Sequence, residues 1–385
     1  MRTPDGVHHA ERGVDHCEVL IVGGGPAGSS CAWKLRAAGV DVAVIDRAVF
    51  PRDKVCAGWI TPQVVDELQL DTRSYSAGRT FQPITGFRVG VIGSDRTLDT
   101  AYRRPVSFGI RRCEFDDFLL RRSGARLLLG EGASRIRRSG AKWVVNDRVE
   151  ASVLVGAAGH CCPVAGMLNG PADRTPLVAA QEAEFPVEAA EANRYAIDGE
   201  KPELYFTRAF DGYGWCFRKG DYLNVGFGRL NARALPADSA GFVRFLQARH
   251  AVPGDLSLRW RGHAYLVSST ARPRLVDDGV LLAGDAAGLA YPQSGEGIRP
   301  AIESGLLAAA AIVRAGGRYS RDRLGSYARQ LRQRFGSGGS LDWLSRALPP
   351  GLPQAVGPQV LRSRWMVRHI VLDRWFLHAA DRPIQ

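Results

Sequence analysis

The stretch CEVLIVGGGPAGSSCAWKLRAAGVDVAVIDRA, residues 17–48, restricts the fold more than any other part of this 385-residue chain. The apolar run Val19 to Val22 reads as a buried strand, the glycines as a turn, the following residues as a helix, and a second apolar run ends at Asp46. Gly23, Gly25 and Gly28 stand in GxGxxG register. The first permits a tight turn, the second lets backbone approach a pyrophosphate, and the third lets the helix pack closely on the strand. Unpaired N–H groups at the helix start point at phosphates, and the helix dipole favours negative charge there. Asp46 follows Gly28 by 18 residues, where an acid can accept the ribose hydroxyls. A bare GxGxxG says little, but strand, turn, helix, strand and terminal acid in this order predict a dinucleotide site.

A second segment decides which dinucleotide. RPRLVDDGVLLAGDAAGLAYPQSGEGIRPAIESGLLAAAAIVRAG, residues 272–316, reads as a strand from Val280 to Ala283 that delivers Gly284 and Asp285 into a turn. The chain then crosses a loop to SGEGI and enters a long Ala-rich helix. The Asp285 carboxylate can accept from a ribityl hydroxyl, and N–H groups from Gly295 through Gly297 to Ile298 can face an anionic ring edge. That pattern suits a reduced flavin. Taken as plain structure it is a buried strand, a glycine loop and a core helix. The two segments lie far apart in the chain, as a discontinuous flavin-binding domain requires.

Composition narrows the alternatives. A net charge of +12 could steer anionic ligands, a membrane surface or nucleic acid. Only five of the 51 basic residues are Lys, and Arg scattered in this way also follows from coding bias. No zinc-finger spacing, aromatic RNA-binding signature or long basic run occurs, so nucleic acid is not an expected partner. The seven cysteines (17, 31, 56, 113, 161, 162 and 216) lack metal-ligand spacing and read as reduced thiols. No metal site is expected, and His160, Cys161 and Cys162 read as structural. Without an apolar signal core or a spanning apolar run, the expected location is cytoplasmic.

The motifs GGGPAG, GIRRCEFDDFLL and GVLLAGDAAGLAYPQSGEGI resemble the FAD-dependent reductases and monooxygenases of p-hydroxybenzoate hydroxylase-like fold. PRDKVCAGWI and YGWCFRKGDYLNVGFG are more narrowly similar to the geranylgeranyl reductase family. The resemblance implies an α/β fold, with a Rossmann-like FAD-binding domain in pieces 17–80, 103–168 and 265–330. An antiparallel sheet over the flavin, the substrate domain, is expected from 82–102 and 169–264, and a C-terminal helical segment from 331–385. Alternation in PELYFTRAF and DYLNVGFGRL agrees with that sheet, and FGSGGS, residues 335–340, reads as a linker.

Carried over residue by residue, the resemblance places Gly23, Gly25, Ala27 and Gly28 at the pyrophosphate and Asp46 at the adenosine ribose. It places Ala133 near the adenine, with Arg112, Cys56, Ala57, Gly284, Asp285, Gly295, Gly297 and Ile298 at the flavin. Three departures stand out. Ala158 replaces a customary acid in GAAGHCCPVA, Arg218 replaces a proline, and Trp59 is bulky where the family often keeps a small residue.

The implied chemistry is hydride transfer from reduced flavin to a C=C bond of an isoprenoid or similar apolar substrate, with an acid protonating the other carbon. An ordinary thiol is mostly protonated at neutral pH, so Cys56 can donate a proton or simply pack. Tyr213 and Trp215 share one face of a strand, with Gly214 and Cys216 on the other. They suit an aromatic wall for an apolar chain, with Lys219 at its edge for an anionic head group, although core packing would select the same residues. The electron donor is expected to be NAD(P)H as a transient visitor or a separate reductase, because VGFGRL lacks the helix that a second fingerprint needs. The run RSRWMVRHIVLDRWFLHAA fits a helix packed on its own domain or one at a lipid interface. Two other functions share these motifs: a flavin monooxygenase or halogenase acting on a natural product, and a non-enzymatic electron-transfer flavoprotein.

Overall fold

The computed structural model describes residues 15–170, 177–229, 232–266, 273–291, 293–335 and 361–384. The expected linker after Phe335 lies outside them.

Five parallel strands form the spine of the first layer, in the order Arg126–Leu129, Val42–Asp46, Asp15–Val22, Val149–Gly156 and Val280–Leu282. Val19, Leu20, Ile21 and Val22 are all buried, as both faces of a parallel sheet must be when helices cover them. The helix Pro26–Ala37 packs on one face and meets the long helix Ile298–Ala315. Their contact is close enough that a Cβ on Gly305 would lie 2.2 Å from the Ala27 carbonyl oxygen. Two antiparallel strands, Ile136–Ser139 and Lys142–Val145, continue from Val149–Gly156 as a meander.

The second layer is a seven-stranded, mostly antiparallel sheet. Its order is Arg261–Leu266, Leu177–Pro186, Tyr222–Arg229, Gly212–Lys219, Glu203–Phe206, Gly86–Val91 and Thr97–Ala101. Period-2 alternation gives it two faces. Cys216, Leu223, Val225 and Phe227 pack against Phe242 and Leu246 of the helix Leu235–Ala248. Leu204, Phe206, Trp215 and Phe217 point the other way, into a core shared with Trp59. A small sheet of Trp59–Ile60, Ser107–Gly109 and Gln82–Ile84 joins the layers.

The segment Val367–Phe376 winds as a π-helix, an uncommon form of backbone. Val367, Val371, Leu372 and Phe376 are buried in the same core as Trp215 and Trp59. This run therefore packs on its own protein. Its outer face shows Arg364, His369 and Arg374, with Trp365 64% exposed. Among the described residues no helix is long and apolar enough to cross a membrane.

Candidate active site

The glycine turn has the geometry its spacing demands. Gly23 sits at φ +112°, and a Cβ there would meet the Ala157 carbonyl oxygen at 2.5 Å. One on Gly28 would fall 1.9 Å from the Gly23 oxygen, so strand and helix touch through bare backbone. Gly25 caps the helix with no side-chain bond, no acid lies in the first turn, and among the described residues a Cβ added at Gly25 would meet only the Arg52 guanidinium, at 3.5 Å. The Asp46 carboxylate accepts the N–H of Gly24 at 2.7 Å and of Ala48 at 2.8 Å, which leaves lone pairs for a further donor. The Glu131 N–H donates to the Asp46 carbonyl, bringing the Ala133 segment to the same end.

Asp285 and the start of helix Ile298–Ala315 form the second half. Gly297 caps that helix without a side-chain bond, and a Cβ there would lie 3.1 Å from Asp285 Oδ1. Gly284 meets Ala27 at the crossing of the halves, where its added Cβ would be 3.1 Å from that of Ala27. Gly295 turns the loop at φ +70°, and Ile298 is buried beside Cys56 and Ile60.

Basic groups surround Asp285 and Cys56. Arg112 binds Asp116 through two 2.8 Å hydrogen bonds, Arg52 lies 3.2 Å from the same carboxylate, and the Arg112 side chain also reaches Cys56. Two guanidiniums thus share one buried carboxylate, which leaves excess positive charge for an anion. Lys54, near Asp285 and Cys56, contacts the His263 ring at 2.8 Å. Burial, aided by repulsion from Arg112, lowers the Lys54 ammonium to about 8. Burial and then Lys54 push His263 down to about 3. His160 packs edge-on to His263, and burial lowers it as well.

Three contacts tie the sheet to this basin. The Tyr213 hydroxyl donates to the Ser294 carbonyl, and Lys219 Nζ donates to the carbonyls of Ala57 at 2.9 Å and Ile110 at 3.1 Å. Trp215 lies flat over Gly226, where a Cβ would come within 2.0 Å of the indole. Its Nε1 donates to Asn224 Oδ1 at 2.7 Å.

Comparison with known proteins identifies the family. Residues 18–91 match the FAD dependent oxidoreductase family profile. A menaquinone reductase of Mycobacterium tuberculosis is 31% identical over 91% of this chain and 88% of its own. A geranylgeranyl diphosphate reductase of Rhodobacter capsulatus is 30% identical over 77% of this chain and 75% of its own. The chain belongs to the geranylgeranyl reductase family of FAD-dependent oxidoreductases. The same fold occurs in a geranylgeranyl bacteriochlorophyll reductase-like protein from Thermoplasma acidophilum, with TM-score 0.74, 22% identity and 91% of both chains covered. It also occurs in the FAD complex of the halogenase PltM, with TM-score 0.67, 17% identity, and 94% and 85% covered.

The residues present suit FAD. An uncapped helix start with the Arg52 guanidinium beside Gly25, a basic basin, and the facing pair Asp285 and Gly297 match an anionic dinucleotide with a hydroxylated linker.

One expectation for this family member needs correction. Lys219 is 0% exposed and engaged with Glu184 and two carbonyls, so it cannot meet a substrate head group at the edge of the wall. Trp59, the bulky departure, fills the joint between the sheets, 5.5 Å from the Phe217 ring and 6.2 Å from that of Phe376. Sequence reasoning missed Arg52, Lys54, Glu182, Glu184, Asn224 and His263. Three of them left a trace that does not discriminate: Glu182 and Glu184 alternate in LVAAQEAEFP and Asn224 interrupts YLNVGFG, as polar residues on a solvent-facing strand also do.

Proposed function

We propose that the protein reduces C=C bonds of a long apolar substrate, an isoprenoid or an isoprenoid-bearing quinone. The observation that carries this reading is that Cys56 packs with Ile298 at the helix start, while the aromatic face of Phe206, Tyr213, Trp215 and Phe376 is joined to both segments, through Ala57 packed on it and through the Tyr213 hydroxyl bonded to Ser294. When bound, reduced FAD supplies hydride. The chain provides the rest.

In this reading Gly23, Gly25, Ala27 and Gly28 hold the pyrophosphate, and Asp46 with Ala133 the adenosine end. Cys56, Ala57, Arg112, Gly284, Asp285, Gly295, Gly297 and Ile298 line the flavin end. Tyr213 and Trp215 form an aromatic wall that excludes water, and the Cys56 thiol lies beside the reacting bond. The relatives named for menaquinone and geranylgeranyl diphosphate support a polyprenyl substrate. Reducing equivalents come from NAD(P)H as a visitor or from a separate reductase. The exposed Trp365 among Arg362, Arg364 and Arg374 suits contact with an anionic membrane surface, where such a substrate resides.

The halogenase fold neighbours make oxygen chemistry the reading to exclude. The test is single turnover of the reduced protein without oxygen, with polyprenyl and aromatic compounds offered separately. Gain of two hydrogens per reduced bond in a polyprenyl compound is expected. Product that strictly requires oxygen, or that carries oxygen or halide, overturns the proposal.

A further inference from the structure

The strand Leu177–Pro186 carries Glu182 and Glu184 two residues apart, so both side chains lie on the face that bears Trp215, opposite Gly226 and Asn224. Asn224 Nδ2 donates to both carboxyls, at 3.4 Å to Glu182 and 3.1 Å to Glu184, while its Oδ1 holds the Trp215 indole. Nearby sits one ammonium, Lys219. All three of its N–H groups are engaged: Glu184 at 2.5 Å, and the Ala57 and Ile110 carbonyls. Glu184 has a second cation in Arg111, at 3.1 Å.

Glu182 has neither. It is 6% exposed, and around it stand the Cys56 backbone N–H, the Asn224 amide, the Glu184 carboxylate and, further off, Lys219. Arg261, opposite on the neighbouring strand, is exposed and pairs with Asp53, and Glu182 acts on it only as the weakest of its influences. A second buried carboxylate without a cation bonded to it is costly, so this carboxyl holds its proton to higher pH than an ordinary glutamate. Burial, opposed by Lys219, raises Glu182 to about 7. Although burial also acts on Glu184, Lys219, Asn224 and Arg111 together hold that group below its ordinary range. Two neighbouring carboxyls driven apart in this way define an acid and its charged companion.

We propose that Glu182 is the internal acid of the site, a neutral carboxyl that stores a proton behind the Cys56 loop for the carbon protonated during C=C reduction. This role rests on the reductase reading. When bound, reduced FAD would supply the hydride and its electron pair to one carbon, and the π electrons of the broken C=C bond would form the new C–H bond at the other. The other gains a proton, and the electron pair of the broken O–H bond stays on the Glu182 carboxylate, which solvent then reprotonates. The Cys56 N–H and the Asn224 amide hold the Glu182 carboxyl in place for that transfer.

Two measurements test it. An infrared difference spectrum, wild type minus Glu182→Gln, is expected to show a protonated-carboxyl band at pH 6 that fades with a midpoint of about 7. Absence of that band at pH 6 overturns the proposal. In alkene turnover, Glu182→Gln is expected to lower kcat about 10²-fold with KM near the wild-type value, and Glu182→Asp to restore part of the rate. An unimpaired Gln variant with the wild-type pH profile overturns it while leaving the reductase reading in place. A wild-type protein that reduces no alkene removes the reductase reading and this role together, and the band then reports only whether the acid exists.

Discussion

The inner face of the seven-stranded sheet divides into two unlike halves. From Gly212–Lys219 to Gly86–Val91 it is apolar, with Phe87, Val89, Leu204, Phe206, Trp215 and Phe217 closed over by Phe376 and Leu372. From Tyr222–Arg229 to Arg261–Leu266 it is polar, with Asn224, Glu182, Glu184 and His263 lying toward the Cys56 loop. One sheet therefore offers an aromatic wall and a proton-bearing network side by side. Trp215 belongs to both, through its ring to the first and its N–H to the second.

Three substitutions test that division. Lys219→Met at the seam should have the largest effect, about 3–5 kcal/mol of lost stability in chemical denaturation, because it strips a buried ammonium from Glu184 and from two carbonyls. A variant that folds as well as wild type but needs more substrate would return Lys219 to the head-group role and dissolve the seam.

Next in size is the pH response of Glu182. Its carboxyl is raised in the folded state, so the stability it contributes is fully present below the ordinary 4.5 and is lost as pH rises toward about 7. Burial raises Glu67 and Glu296 to about 7 as well, so the difference from Glu182→Gln, and not the wild-type slope alone, isolates this group. The variant should match wild type near pH 4 and exceed it by about 2–3 kcal/mol at pH 8. Equal stability at both pH values would show an ionised Glu182 and a polar half with no stored proton.

The smallest effect belongs to Trp215→Phe. The wall survives, but Asn224 Oδ1 loses its donor, at about 1–2 kcal/mol. Thermal unfolding should register that loss, with only a modest rise in KM. A large KM increase would make the indole N–H part of substrate recognition and blur the boundary between the halves.

The apolar half was legible in the sequence for a physical reason. Period-2 spacing puts Tyr213 and Trp215 on one face whatever surrounds them, and the glycine register of residues 23–28 admits few other structures. The polar half was not. A same-face pair such as Glu182 and Glu184 is what a solvent-facing strand also shows, and nothing local reveals that the folded chain buries Glu182 against the Cys56 N–H. Lys219 misled for the same reason: a lysine at a strand end normally reaches solvent, and nothing local reveals that two carbonyls and a carboxylate wait for it. The small sheet of Trp59, Ser107 and Gln82 strands was equally hidden, because strands of two or three residues carry no periodicity to detect.

The crossing of helices Pro26–Ala37 and Ile298–Ala315, where Ala27 meets Gly284 and Gly305, sets the order in which such a chain can assemble. The nucleotide-binding core cannot close until segments on either side of the whole inserted sheet find each other, so its contact order is high and its folding correspondingly slow. The equilibrium cost behaves differently. Closure entropy grows only logarithmically, about 0.6 kcal/mol for each doubling of the intervening length. The insertion that carries the aromatic wall and the buried acid can thus be lengthened or reshaped with little thermodynamic penalty to the cofactor cradle, while the time needed to complete that cradle rises.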